Sequence, residues 1–249
     1  MILSLKLFIS KLLCSDFTGR IIAWLYADRI PFYGTHIDTS NEQVKNRIKA
    51  LLFWRMYESS EIRFVQKYLT DQYDVIELGS SIGAVSVQLG KKIKGKQLIA
   101  VEASTKLISS LQHNLASNHI EHTTVLNAAY GSTGEKVWFE FGEENILGKI
   151  STQAEDKAGE WIESISLASI ISQYQIKEYA LVCDIEGAEI DLLLHEQVAL
   201  QQCKLLIIET HRTEFKGELY TPVQLQQLLV DMGFKVIDQH GVNLVLVRA

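Results

Sequence analysis

From residue 71 to the C-terminus one pattern repeats: a short apolar run, a stop on glycine or a polar residue, then a stretch with helical periodicity. Asp74–Leu78 runs into Gly79 and is followed by a helical stretch over 84–93. The run 97–101 stops at Glu102 and gives way to a helix over 106–118, with Leu107, Leu111 and Leu115 on one face. The runs 123–126, Tyr179–Cys183 and 204–208 stop at Asn127, Asp184 and Glu209. Continuous apolar runs suit strands covered on both faces, and their alternation with helices marks βαβ units in a parallel sheet.

The last two runs, 234–237 and 243–247, break that rhythm. A parallel crossover needs a dozen or more residues, so these two must pair antiparallel if they are neighbours. The expected fold is therefore α/β: a Rossmann-like sheet, mostly parallel, with an antiparallel C-terminal hairpin, which resembles the class I methyltransferase sheet. A dinucleotide-binding sheet more often stays parallel throughout. Pro222 opens the helix before the hairpin, at a position where a missing N–H costs little. The sheet domain is placed at 71–249, preceded by a helical extension over 1–70. In that extension Ile48, Leu51, Leu52, Met56 and Ile62 show mixed three- and four-residue spacing. Residues 31–40, punctuated by Pro31, Gly34 and Asp38, read as a loop between helices.

Several function classes are disfavoured. With a formal net charge of −6 and no basic tract, nothing favours a phosphate-backbone partner, so no nucleic acid is expected. Cys14, Cys183 and Cys203 are odd in number, widely spaced and without a CxxC pair. That suits a reducing cytoplasm better than a disulfide framework or a thiolate zinc site. The apolar start carries Leu3, Leu7 and Phe8 on one helical face and is too short for a transmembrane segment. It reads as a helix packed on its own domain or on a second subunit of a homodimer; peripheral membrane contact through 1–14 is the other reading. Trp24, Tyr26, Phe32, Tyr33 and Trp54 are either core or a stacking surface for an acceptor.

The first run enters Glu77-Leu78-Gly79-Ser80-Ser81-Ile82-Gly83. Glycines at a strand-to-helix turn let the backbone approach a ligand, and the helix N-terminus presents free N–H groups. The spacing is GxxxG rather than the GxGxxG of a pyrophosphate-binding turn. Glu102, at the end of the next run, is placed to accept hydrogen bonds from both ribose hydroxyls of an adenosine ligand. Asn127-Ala128-Ala129 ends the third run; Asn127 either bonds the adenine edge or forms a turn, and the alanines leave room for the ring.

Two further strand ends carry Asp184-Ile185-Glu186-Gly187-Ala188-Glu189 and Glu209-Thr210-His211. Side chains two apart on a strand share a face, so Asp184 with Glu186 and Glu209 with His211 can converge at the carboxyl edge of the sheet, where open α/β sheets bind ligands. Carboxylates gathered there need compensation. The options are a divalent cation such as Mg on Asp184, Glu209 and His211, a cationic sulfonium with substrate hydroxyls, or ion pairs with Arg212 and nearby lysines. For methyl transfer to an alcohol, His211 is expected as general base, with Glu209 orienting it or the acceptor; metal activation of the hydroxyl is the alternative.

Together these segments resemble the FkbM family of methyltransferases. The carrying residues are Glu77-Leu-Gly-Ser-Ser-Ile-Gly83, Val101-Glu102-Ala103, Asn127-Ala-Ala129, Cys183-Asp-Ile-Glu-Gly-Ala-Glu189 and Ile208-Glu-Thr-His211. The resemblance implies S-adenosyl-L-methionine as cofactor and O-methylation, commonly of a sugar, polysaccharide or secondary metabolite, so the partner is a small-molecule or glycan acceptor. It implies cofactor contacts at Glu77, Gly79, Glu102 and Asn127, to which position adds Ser81, Gly83, Ala103, Ala128 and Asp184. Ser81 stands where the family has Asn, Ala103 where it has Pro, and Cys183 where it has Lys. The extension would cover the acceptor site or form a dimer contact. A nicotinamide oxidoreductase would need the missing GxGxxG turn and a Tyr-x-x-x-Lys pair; a non-catalytic nucleoside-binding module would bind without turnover.

Overall fold

A computed structural model describes residues 13–141, 148–151 and 158–248. The apolar start through Leu3, Leu7 and Phe8 lies outside the described residues. The extension opens with α1 (Asp16–Tyr26), capped by Ser15, whose hydroxyl accepts from the Thr18 N–H. Next come β1 (Arg29–Phe32) and β2 (Thr35–Asp38), then α2 (Asn46–Phe53) and α3 (Ser59–Tyr68). The stretch expected as a loop over 31–40 is thus largely a β-hairpin. Pro31 occupies a strand of a two-stranded ribbon, where a missing donor is tolerated, and Tyr33-Gly34 turns the chain with positive φ at both residues. Ile30, Phe32 and Ile37 of the hairpin are fully buried.

The domain proper comprises β3 (Asp74–Leu78), α4 (Ala84–Lys92), β4 (Leu98–Glu102), α5 (Thr105–Ser117) and β5 (Thr123–Asn127). An intervening region holds β6 (Ala129–Tyr130), β7 (Val137–Phe141), β8 (Gly148–Ser151), β9 (Gly159–Ile162), β10 (Ser164–Ile165) and α6 (Leu167–Tyr174). The chain then continues with β11 (Tyr179–Cys183), α7 (Glu189–His195), α8 (Gln197–Leu200) and β12 (Cys203–Glu209). A small ribbon of β13 (Thr213–Phe215) and β14 (Glu218–Tyr220), α9 (Pro222–Asp231), β15 (Phe234–His240) and β16 (Asn243–Arg248) complete it.

Seven strands form the main sheet in the order β15-β16-β12-β11-β3-β4-β5. The neighbours from β12 to β5 pair parallel; β12 with β16 and β15 with β16 pair antiparallel. This is the Rossmann-like arrangement with the closing antiparallel hairpin. The chain leaves β3 toward β4 on one side and returns to β11 on the other, so the β3/β11 boundary is the topological switch point, where open α/β sheets form ligand crevices.

Two cores sandwich the sheet. One face, with Val75, Ala100, Ala180 and Ile207, shares a single cluster with Ile30, Phe32, Ile37, Ile62, Phe64 and Val65 of the extension. The opposite face packs Leu78, Leu181 and Ile208 against α6, α7 and α9. Polar stitches tie the hairpin to the domain: buried Asn114 of α5 accepts from the Asp38 N–H and donates to the Ile82 carbonyl. Of the aromatic residues named above, Phe32 is core and Tyr33 packs against it, whereas Tyr26 and Trp54 are partly exposed and Trp24 is 80% exposed. Among the described residues no helix is long and apolar enough to cross a membrane.

Candidate functional site

A cleft of about 820 Å³, open to solvent, straddles the carboxyl ends of β4, β3 and β11. At the β4 end it is lined by Glu102, Ala103, Ala128, Ala129 and Phe139; at the β11 end by Asp184, Ile185 and Glu186; and from the extension by Tyr57, Glu58 and Glu61. Gly79 and Ser81 lie between.

Glu102 is held rigidly. Its Oε2 accepts from the Ser81 N–H and its Oε1 from the Ser104 N–H, both at 2.7 Å. Burial pushes its pKa up to about 7, against the lowering effect of those amides. Each carboxylate oxygen keeps lone pairs for further donors, as ribose hydroxyls would supply. Glu77 is placed differently from the expectation of a cofactor contact. It lies beneath the turn, 1% exposed, and does not line the cleft; its Oε2 accepts from the hydroxyls of Ser80 and Ser86. Asn127 also stays out of the cleft lining. Its amide donates to the carbonyls of Glu102 and Ala103, both at 3.0 Å, which is the turn-forming role.

The glycines answer close approaches within the chain itself. A Cβ on Gly79, where φ is +91°, would sit 1.8 Å from the Asp184 carbonyl oxygen, and one on Gly83 would meet Leu111 of α5. Gly83 therefore seats α4 on α5 rather than lining the cleft. The non-glycine residues Ser81, Glu58 and Glu186 also have positive φ, at 47°, 43° and 51°. All three line the cleft, and such strain clusters at ligand sites.

Beside the β11 end the expected residues meet. His211 Nε2 lies 3.5 Å from Glu186, 3.6 Å from Glu209 and 3.8 Å from Asp184. Its orienting partner is Glu189, however, not Glu209: Nδ1 lies 2.9 Å from Glu189 Oε1. Fully buried Glu189 also accepts from the N–H groups of Ile185 and Gly187, bracing the whole turn. Glu209 instead accepts from the Asn243 side chain. Burial alone would lower the His211 pKa, but the Glu189 bond and the charges of Asp184 and Glu186 push it up to about 9. These contacts favour the protonated imidazole in the ligand-free protein.

Asp184 lines the cleft, and its Oδ1 is buried without a hydrogen-bond partner. Burial and the charges of Glu58 and Glu209 push its carboxyl well above the usual carboxylate range. The oxygens of Glu58, Asp184 and Glu209 lie within 4.8 Å of one another, as do ligand atoms of Asp184, Glu186 and His211. The expected trio of Asp184, Glu209 and His211 is thus divided between two overlapping groups. Arg212 forms none of the ion pairs found at this cluster, which all run to His211. Cys183 is fully buried in the opposite core with Leu78 and Leu181, and burial pushes its thiol well up.

Sequence reasoning missed Tyr57, Glu58 and Glu61, and gave Glu189 no role. Glu61 sits four residues after buried Tyr57 and three or four before buried Phe64 and Val65. A carboxylate on the apolar stripe of a helix was the available signal. A nucleoside carrying positive charge fits this lining: a fixed carboxylate at one end, small apolar residues beside it, and an undercompensated acidic end.

A family model described as the methyltransferase FkbM domain matches residues 81–236. Among curated proteins, none matches the sequence. Similar solved structures include a SAM-dependent methyltransferase from Aquifex aeolicus (11% identity, 78% of this chain and 93% of that one, TM-score 0.44). A magnesium protoporphyrin IX methyltransferase from Synechocystis PCC 6803 with bound SAM has 11% identity, 79% and 80% coverage and a TM-score of 0.44. A protein of the NADB-Rossmann superfamily from Streptococcus agalactiae has 14% identity, 77% and 68% coverage and a TM-score of 0.45. With the FkbM domain covering more than half of its length, the chain belongs to the FkbM family of S-adenosylmethionine-dependent methyltransferases.

Proposed function

We propose that this methyltransferase acts on a hydroxyl of a sugar, a polysaccharide or a secondary metabolite, and that the acceptor enters at the β11 end of the cleft. When bound, S-adenosylmethionine supplies an electrophilic methyl group. Glu102 holds the ribose, and the apolar walls at Ala103, Ala128 and Phe139 flank the base. The observation that carries the reading is Asp184, whose Oδ1 is buried beside the switch point with no hydrogen-bond partner. An alcohol becomes a competent nucleophile only when its proton is drawn away, and a base works best with a pKa near the operating pH. Asp184 takes the hydroxyl proton at this oxygen. His211, anchored by Glu189, steadies the Asp184 carboxylate until it takes that proton and becomes the neutral acid.

The test measures S-adenosylhomocysteine release with hydroxylated acceptors and locates the transferred methyl by mass spectrometry. Wild-type protein should yield an O-methyl product, and Asp184→Asn should lower kcat at least about a hundredfold while still binding S-adenosylhomocysteine. Transfer only to nitrogen or sulfur, or full turnover in Asp184→Asn, would overturn the proposal. A second reading is favoured by the all-oxygen group of Glu58, Asp184 and Glu209: a hard divalent cation such as Mg held there polarises the hydroxyl. Under that reading EDTA abolishes turnover and added Mg²⁺ restores it; indifference to both refutes it.

A further inference from the structure

Glu61 is a buried carboxylate that neither reading uses. It is 7% exposed on α3, and among the described residues no hydrogen bond or ion pair reaches it. It lines the cleft, yet joins neither of the two groups whose ligand atoms converge around Asp184. Its electrostatic neighbours include Glu77, beneath the first glycine turn, as well as Asp184. Glu58 and Glu209 are neighbours too, so Glu61 stands among the carboxylates of the acidic end while also facing the glycine turn. A buried carboxylate without a partner is costly unless a ligand completes it.

The ligand that lies across this turn has a fixed polarity. With its ribose at Glu102, its amino-acid tail runs toward the opposite end of the cleft. That tail ends in an ammonium and a carboxylate. Ala84 and Val85 of the first turn of α4 line the cleft, and the helix cap, Gly83, supplies no side-chain bond, so the N–H groups there can take the carboxylate. The ammonium needs an acceptor of opposite charge.

We propose that Glu61 is that acceptor: its carboxylate binds the α-ammonium of S-adenosylmethionine, and the N-terminal extension thereby reads the amino-acid end of the cofactor. Tyr57, one turn earlier, already touches the glycine turn through its hydroxyl, 3.4 Å from Ser81 Oγ. The inference rests on the cofactor occupying this cleft.

The test uses calorimetry on the full chain with two nucleosides. S-adenosylhomocysteine carries the amino-acid tail; 5′-methylthioadenosine has the same nucleoside and thioether without it. Glu61→Gln should weaken S-adenosylhomocysteine about tenfold or more, the scale of a lost charge-assisted bond, and leave methylthioadenosine within about twofold. The ligand-free variant should melt no lower than wild type, because Glu61 makes no hydrogen bond or ion pair there for the substitution to break. Unchanged affinity for both nucleosides in Glu61→Gln overturns the assignment of Glu61 alone. Equal weakening of both, with a lower melting temperature, also overturns it, because Glu61 then only supports the wall. Failure of wild type to bind either nucleoside overturns the cofactor placement and this inference together.

Discussion

Glu77 offers the most quantitative test of the site's electrostatics. Burial pushes its carboxyl up to about 7, opposed by the Ser86 and Ser80 hydroxyls and reinforced by Glu102. In the unfolded chain a glutamate titrates near 4.3. Below that value both states are protonated and there is no penalty. Between about 4.3 and about 7 the native state keeps a proton that the unfolded state has lost, so stability falls as pH rises. Above about 7 the native carboxylate is ionised and the loss is complete, at about 3 to 4 kcal/mol. Glu77→Gln removes this linkage while its amide oxygen still accepts from Ser80 and Ser86. The new NH₂ takes the place of Oε1, which is buried without a partner, so it adds a cost that does not vary with pH. Urea denaturation of both proteins at about pH 5 and about pH 8 isolates the titrating part. The stability of the variant relative to wild type should improve by about 2.5 kcal/mol between those values. A difference that stays constant within about 0.5 kcal/mol would show that Glu77 is ionised throughout, and the picture of a protonated glutamate under the turn would fall.

Two further substitutions probe the frame. Glu102→Gln sets an NH₂ against one of the two amides that now donate to the carboxylate; calorimetry should show S-adenosylhomocysteine and methylthioadenosine both weakened about tenfold or more, unlike the selective loss at Glu61. Gly79→Ala drives a methyl group into the Asp184 carbonyl at a φ of +91°; a loss of about 3 kcal/mol or more is expected, which in a chain of this size lowers Tm by about 6 to 12 °C, and an unshifted melt would contradict the close contact.

The strand ends were legible because the central strands are buried on both faces. Tyr179–Cys183 is a continuous apolar run and Asp74–Leu78 a mostly apolar one broken by Glu77, and the residues that follow them, Asp184 and Gly79, mark the carboxyl edge. Gly79, Glu102 and Asp184 could be placed from that alone. The hairpin of the extension was not legible, since four-residue strands containing Pro31 carry the same punctuation as a loop; only the burial of Ile30, Phe32 and Ile37 distinguishes them. Glu209, expected to orient either His211 or the acceptor, does not hold the imidazole, for a geometric reason. Glu209 shares its strand direction, but Asn243 on the antiparallel neighbour opposes Glu209 in register and captures it. Glu189, in the first turn of α7, is delivered to the imidazole by a helix that starts beneath the 185–187 turn. Periodicity within one element cannot report such a meeting of two.

The acidic end of the cleft raises a question of cost that the extension answers. Glu58 and Glu61 bring further carboxylates to a place already holding Asp184 and Glu186, and burial with the neighbouring acidic groups raises the pKa of Glu58, Glu61 and Asp184. Nothing in the sheet requires them; they arrive on α3, from residues upstream of the segment matched to the FkbM domain. What holds them in position is the rest of that helix: Ile62, Phe64 and Val65 are completely buried in the core that the extension shares with the sheet. Each such side chain contributes about 1.5 to 3 kcal/mol through burial, enough to offset much of the repulsion. The extension therefore exchanges apolar burial for a cleft kept short of positive charge. A ligand with a sulfonium and an ammonium relieves that shortage only when bound, so part of the repulsion stored in the empty site is recovered as affinity for a cation.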